Sequence, residues 1–136
     1  MAVAGTIGTV TRTAVDGLLG VVKVSIPWTC DAAGAVTEVP VTLPGGTIIK
    51  VRTDPDGTNA PTDNYDITLL DAIGGADVIN GAGANRDTAN IEEAYPTVAT
   101  YFRPLIGSGD YYPTIANAGN AKQGVIEVYI ATGAVL

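Results

Sequence analysis

The residues best placed to do chemistry are the acids of Asp54-Pro55-Asp56-Gly57-Thr58-Asn59, with Asp63 and Asp66 close behind. A calcium ion takes about six to eight oxygen ligands, and alternating Asp and Asn can deliver several from one loop. The EF-hand spacing also needs a Glu at its twelfth place, which here, counting from Asp54, is Tyr65. Two Asx-stabilised turns account for the same residues, because Asp and Asn side chains cap their own backbone two residues on. Asp54, Asp56 and Asp63 are thus the metal candidates. The expectation is a turn-rich loop with no metal, and a chain with no cofactor.

Asp87 and the pair Glu92-Glu93 are the other carboxylates that could be read as acid/base groups. General acid catalysis needs a carboxyl whose pKa is raised by burial or by a like charge. Adjacent residues on a strand or helix do not face one site, so solvated loop acids are expected here. Gly81-Ala82-Gly83-Ala84-Asn85-Arg86 lacks the Lys-Ser/Thr ending of a phosphate loop, and its glycines read as tight-loop residues. Cys30 shares an apolar face with Trp28, which predicts an inert buried thiol. Tyr95, Tyr101, Phe102, Tyr111 and Tyr112 form the aromatic-rich region. Tyrosine suits surfaces that are half wet, so Tyr95, Tyr101, Tyr111 and Tyr112 are the partner-binding candidates, with packing at one end of the domain as the rival reading. No catalytic residues are identified, and an enzyme is not expected.

Composition narrows the classes further. The chain has 136 residues and a net charge of -7, with no histidine and one cysteine. Seven cations against fourteen acids disfavour phosphate contacts with nucleic acid. Without histidine there is no imidazole base and no His-bound zinc, and one cysteine makes neither an intrachain disulfide nor a thiolate cluster. The opening segment has no basic region leading into an apolar run, and no stretch approaches the ~20 apolar residues of a membrane span. The expectation is a soluble protein made in a cytoplasm, with neither nucleic acid nor membrane as partner.

The elements that must position these residues read as strands. Valine, isoleucine and threonine dominate, and glycine and proline punctuate the chain every ten residues or so. In Val21–Asp31 the even positions Val22, Val24, Ile26, Trp28 and Cys30 alternate with Lys23, Ser25, Thr29 and Asp31, which predicts one buried and one wet face. Val39, Val41 and Leu43 form the inner face of a second strand, placed at an edge or bulged because Pro40 has no N–H to donate. Thr47–Thr53 is expected to turn Ile49 and Val51 inward. Further strands are expected at Tyr65–Leu70, Asp77–Ile79, Thr97–Arg103, Tyr111–Ala116 and Gly124–Ala131. Residues 80–96 read as one long loop without a strand, with room for a helical turn capped by Asp87 or Thr88. Residues 1–20 are expected to be an N-terminal arm or edge strand, and 21–136 a single all-β antiparallel sandwich domain of eight or nine strands. A jelly roll is the leading topology and an Ig-like order the second.

Three runs carry a resemblance: IPWTCDAAGAV (26–36), KVRTDPDGTNAPTDNYDITLLDAIGGADVINGAGANRDTANIEE (50–93) and NAGNAKQGVIEVYI (117–130). PTDNYDITLLD followed by GANRDT and then NAGNAK is similar to a widespread group of small tailed-bacteriophage proteins encoded among virion structural genes. The resemblance spans about positions 24–131 and implies a particle component, with no catalytic residues to carry over. Size, acidity and fold class suit a decoration or cement protein on the capsid exterior. Its partners would be the major capsid protein and further copies of itself, as a homodimer or homotrimer on a local symmetry axis. A neck, tail or fibre accessory protein, binding host glycan through residues 80–96 and the nearby tyrosines, is the alternative.

Overall fold

A computed structural model of the chain describes residues 4–15, 17, 20–97 and 104–132. Its centre is a three-strand ladder: β3 (Val21–Thr29), β10 (Gln123–Ala131) and β5 (Gly46–Pro55), with β10 in the middle and all pairing antiparallel. Register explains why this ladder forms. Val24, Val128 and Val51 lie in one row, and Ile26, Ile126 and Thr53 in the next. The period of two turns each row toward the same side, where all six are buried. A second sheet supplies the opposing layer in the order β4 (Val41–Leu43), β9 (Gly109–Ala116), β6 (Asp66–Leu70). Its inward residues Val41, Leu43, Ile67, Leu69, Tyr111 and Ile115 meet the first sheet in one core. The chain is therefore an all-β antiparallel sandwich, with no helix among the described residues.

Four short strands finish the larger sheet. β1 (Thr6–Ile7) and β2 (Thr11–Ala14) pair with successive halves of β3, so residues 6–14 lie on the sheet as an edge strand. The break between them faces Pro27, whose carbonyl accepts Gly8 N at 2.8 Å. On the far edge, β7 (Glu92–Ala94) and β8 (Leu105–Ile106) both pair with β5.

Four expectations change. Residues 80–96 contain a strand: Glu93 pairs with Arg52 and Ala94 with Val51, because this edge of β5 offers ladder partners that an isolated helical turn lacks. No helix forms at Asp87. Its carboxylate instead accepts Ala89 N at 2.6 Å and Asn90 N at 2.7 Å. In β5 the inward residue is Ile48, not Ile49, because the register against β10 shifts: Tyr129 faces Lys50, while the next residue, Ile130, faces Ile48. That extra residue is a bulge, which resets the in/out phase. Asp77–Ile79 contributes a single bridge, Leu70 to Asp77, followed by turns. β4 is an edge strand, with Pro40 exposed just ahead of it. Of the expected strand Thr97–Arg103, residues 98–103 lie outside the described residues.

Candidate functional site

The three blocks that carry the resemblance come together in space. Asp66, at the start of β6, is the node: its Oδ1 accepts Asn85 N at 2.9 Å and its Oδ2 accepts Asn117 Nδ2 at 2.9 Å. One carboxylate thus joins DNYDITLLD to GANRDT and to NAGNAK. Backbone bonds reinforce the junction. Arg86 N donates to Tyr65 O at 2.7 Å, Asn64 N to Arg86 O at 2.9 Å, and Thr62 N to Ala118 O at 2.9 Å. Ile67 N donates to Gly83 O at 2.8 Å, and a Cβ at position 83 would fall 2.2 Å from Ile67 O, so only glycine fits this approach. Asn64, Asn85 and Asn117 all have positive φ, 66°, 55° and 61°, a region asparagine tolerates better than most residues.

The block around Cys30 joins the same assembly. Cys30 is buried, donates its Sγ–H to Gly119 O at 3.0 Å and accepts Lys122 N at 3.1 Å. Ala121 N reaches Asp31 O at 3.0 Å, and Ala118 N reaches Gly34 O at 3.1 Å. These residues lock loops onto the ends of strands. Tyr65 sits beneath them, fully buried, with its ring 5.7 Å from that of Trp28. Burial pushes its hydroxyl up to about 12.

The metal candidates part company. Asp56 Oδ2 accepts Thr58 N at 3.0 Å and Asn59 N at 2.7 Å, an Asx turn. These amides, Asn59 first, hold its carboxyl below the usual range. Asp63 Oδ1 accepts Thr88 N at 3.3 Å. Asp54 and Asp56 border a recess of about 470 Å³ between β1 and the loop after β5, together with Thr6, Pro27 and Gln123, but Asp63 is not part of its wall. Among the described residues, no group of three His, Cys, Asp or Glu side chains could hold a metal ion.

The tyrosines also separate. Tyr111 faces the core, 8% exposed, and its hydroxyl donates to Gly107 O at 2.7 Å. Tyr112 points the other way, onto the outer face of the smaller sheet opposite Leu70. Tyr95 follows β7 at the edge of the larger sheet, 56% exposed, with Glu93 3.4 Å from its hydroxyl. Tyr101 lies outside the described residues. The three described candidates therefore make no single surface.

The two outer faces differ in charge. On the larger sheet, Glu127 lies 3.2 Å from Lys23 and 3.6 Å from Arg52, while Lys50 meets Glu93 at 2.8 Å and lies 4.3 Å over the Tyr129 ring. The Lys50 contact holds the Glu93 carboxyl below its ordinary value and raises Lys50. This face is a cross-strand ladder of matched charges. On the smaller sheet, Leu70, Ile73 and Tyr112 border a recess of about 160 Å³ rimmed by Thr37, Glu38 and Thr114, with no Lys or Arg in its lining. Sequence reasoning had singled out Tyr112 but not Leu70 and Ile73, which become neighbours only through the turn at 71–76. The Asp66 node was missed as well, although Asn64, Asn85 and Asn117 are residues of a type that favours turns. Comparison with protein-family models, with curated proteins and with solved structures gives no match for the chain.

Proposed function

We propose that this chain is a bacteriophage virion structural protein, and within that class a decoration or cement protein seated on the outside of the major capsid lattice. The observation that carries the reading is the convergence on Asp66. The blocks that resemble the phage group are occupied in holding loops to strands, as expected of a scaffold whose role is shape and attachment. Strand order supports a jelly roll as the finer topology. Apart from the two-residue β8, which follows β7 in the larger sheet, the strands from β3 to β10 alternate between the sheets in chain order, the bridge at Asp77 adds a further pairing beside β6, and β3 and β10 are neighbours. Such interleaving is what two Greek keys produce. A small acidic domain of this kind would bind a repeated lattice through many weak contacts, and symmetry lets each contact recur.

Counting copies per purified virion, by quantitative mass spectrometry against the major capsid protein, tests this. A number in simple ratio to the capsid subunits is expected. A few copies to a few dozen would place the chain in the neck, tail or fibre instead, and its absence from the particle would overturn the reading altogether.

A further inference from the structure

We infer that the outer face of the smaller sheet carries a docking groove for a protein segment that presents one aliphatic or aromatic side chain flanked by Lys or Arg. Its floor is Leu70 of β6 and Tyr112 of β9, which are direct cross-strand partners and face away from the core. Ile73 stands on one rim, 59% exposed, raised there by the turn through Gly74. Thr37 and Glu38 form the opposite rim. The recess of about 160 Å³ has the scale of one large side chain, since a dry cavity of about 150 Å³ accepts a benzene ring.

Charge selects the occupant. Glu38 lines the groove. Asp110 stands two residues before Tyr112, hence on the same face of β9. Among the residues that line the groove, no cation balances Glu38. Across the sandwich, Lys23, Arg52 and Lys50 are engaged by Glu127 and Glu93. The groove thus combines an apolar floor with a one-signed rim, which favours a basic segment and repels an acidic one. The inference goes beyond the decoration reading and does not require it. If that reading holds, this is the face that meets the capsid.

The test is a titration of the labelled protein with millimolar Ac-Lys-Leu-Lys-NH2 and, separately, Ac-Glu-Leu-Glu-NH2, followed by amide chemical shifts. The basic peptide is expected to move the amides of Leu70, Ile73, Tyr112 and Thr114, and the acidic one to leave them in place. Ile73→Ser with Tyr112→Ala should abolish the response, and Glu38→Gln should weaken it about threefold, as for an exposed ion pair. Ile73→Ser alone, at an exposed turn position, keeps the test decisive should the double variant fail to fold. No localised shift, an equal response to the acidic peptide, or a response surviving Ile73→Ser would overturn the inference. Virion copy number is read without the peptide, so absence from the particle with an intact peptide response removes only the decoration reading. Lattice-level copy number with no peptide response removes only the groove.

Discussion

At the scale of single residues, Asp66 is the side chain on which most depends, because one carboxylate accepts hydrogen bonds from two loops. Asp66→Ala leaves Asn85 N and Asn117 Nδ2 without their acceptor and is expected to cost about 2 kcal/mol, the scale of hydrogen bonds to a charged acceptor. Asp66→Asn should fall between, since its amide offers one oxygen and turns an N–H₂ toward one of the two donors. Urea denaturation would rank the three, and an Asp66→Ala midpoint equal to wild type would remove the node from the account. Trp28 makes the opposite case. It is 2% exposed, yet its Nε1 has no hydrogen-bond partner among the described residues. Trp28→Phe loses volume but also removes a buried unsatisfied donor, so its cost should stay below the ~3–5 kcal/mol of a full truncation such as Trp28→Ala. A Phe variant as unstable as the Ala variant would mean that the indole N–H is satisfied after all. The Asp66 node was hard to read from sequence because its partners stand 19 and 51 positions away. Nothing in local spacing marks an aspartate as an acceptor for two distant loops.

At the scale of elements, what could be read from sequence was whatever repeated. β3, β6 and β10 each alternate without interruption, and each has the expected face buried. β5 alternates too, but the bulge at Ile49 inverts the phase ahead of it, and a bulge leaves no mark on composition. β7 was unreadable for another reason: Glu92-Glu93-Ala94 has poor strand propensity and pairs only because β5 presents an open edge with Lys50 close by. The N-terminal residues were legible as arm or edge strand but not as which. The structure lays 6–14 along β3 and ties Arg12 Nη2 to Thr42 O of β4 at 2.7 Å, so this edge strand also links the two sheets. Arg12→Ala should therefore cost about 1 kcal/mol, a small drop measurable in thermal melts. Removing residues 1–15 goes further, because it exposes one side of β3 as a pairing edge. The shortened chain is expected to self-associate with rising concentration in light scattering. A monomer with unchanged melting temperature would show that β1 and β2 are not needed to cover β3. If the decoration reading holds, the same deletion should also lower virion loading.

At the scale of the whole molecule, stability should fall at both ends of the pH range, for reasons located in different places. On the acid side, Asp56 and Asp87 are held below their ordinary values by the loop amides they cap, and Glu93 by Lys50. A carboxyl lowered in the folded state contributes stability above its unfolded pKa, and that contribution fades as pH falls through the folded value. All three sit at the surface, so this loss should be shallow and should loosen the 56–59 and 87–93 segments before the core. On the alkaline side the relevant group is buried. Tyr65 ionises near 10 in an unfolded chain and at about 12 in the fold. Its contribution is complete below pH 10 and is lost as pH rises toward 12, because only the unfolded chain can release the proton cheaply. Two units correspond to at most about 2.7 kcal/mol. Denaturation midpoints measured between pH 8 and 12 should therefore decline, and Tyr65→Phe should flatten the decline while leaving the acid limb unchanged. Phe keeps the ring against Trp28 and has no proton to lose, so it separates ionisation from packing. An equally steep alkaline limb in Tyr65→Phe would assign the loss to the surface lysines and tyrosines, and would mean that the hydroxyl beneath the loop hub is not what limits the fold at high pH.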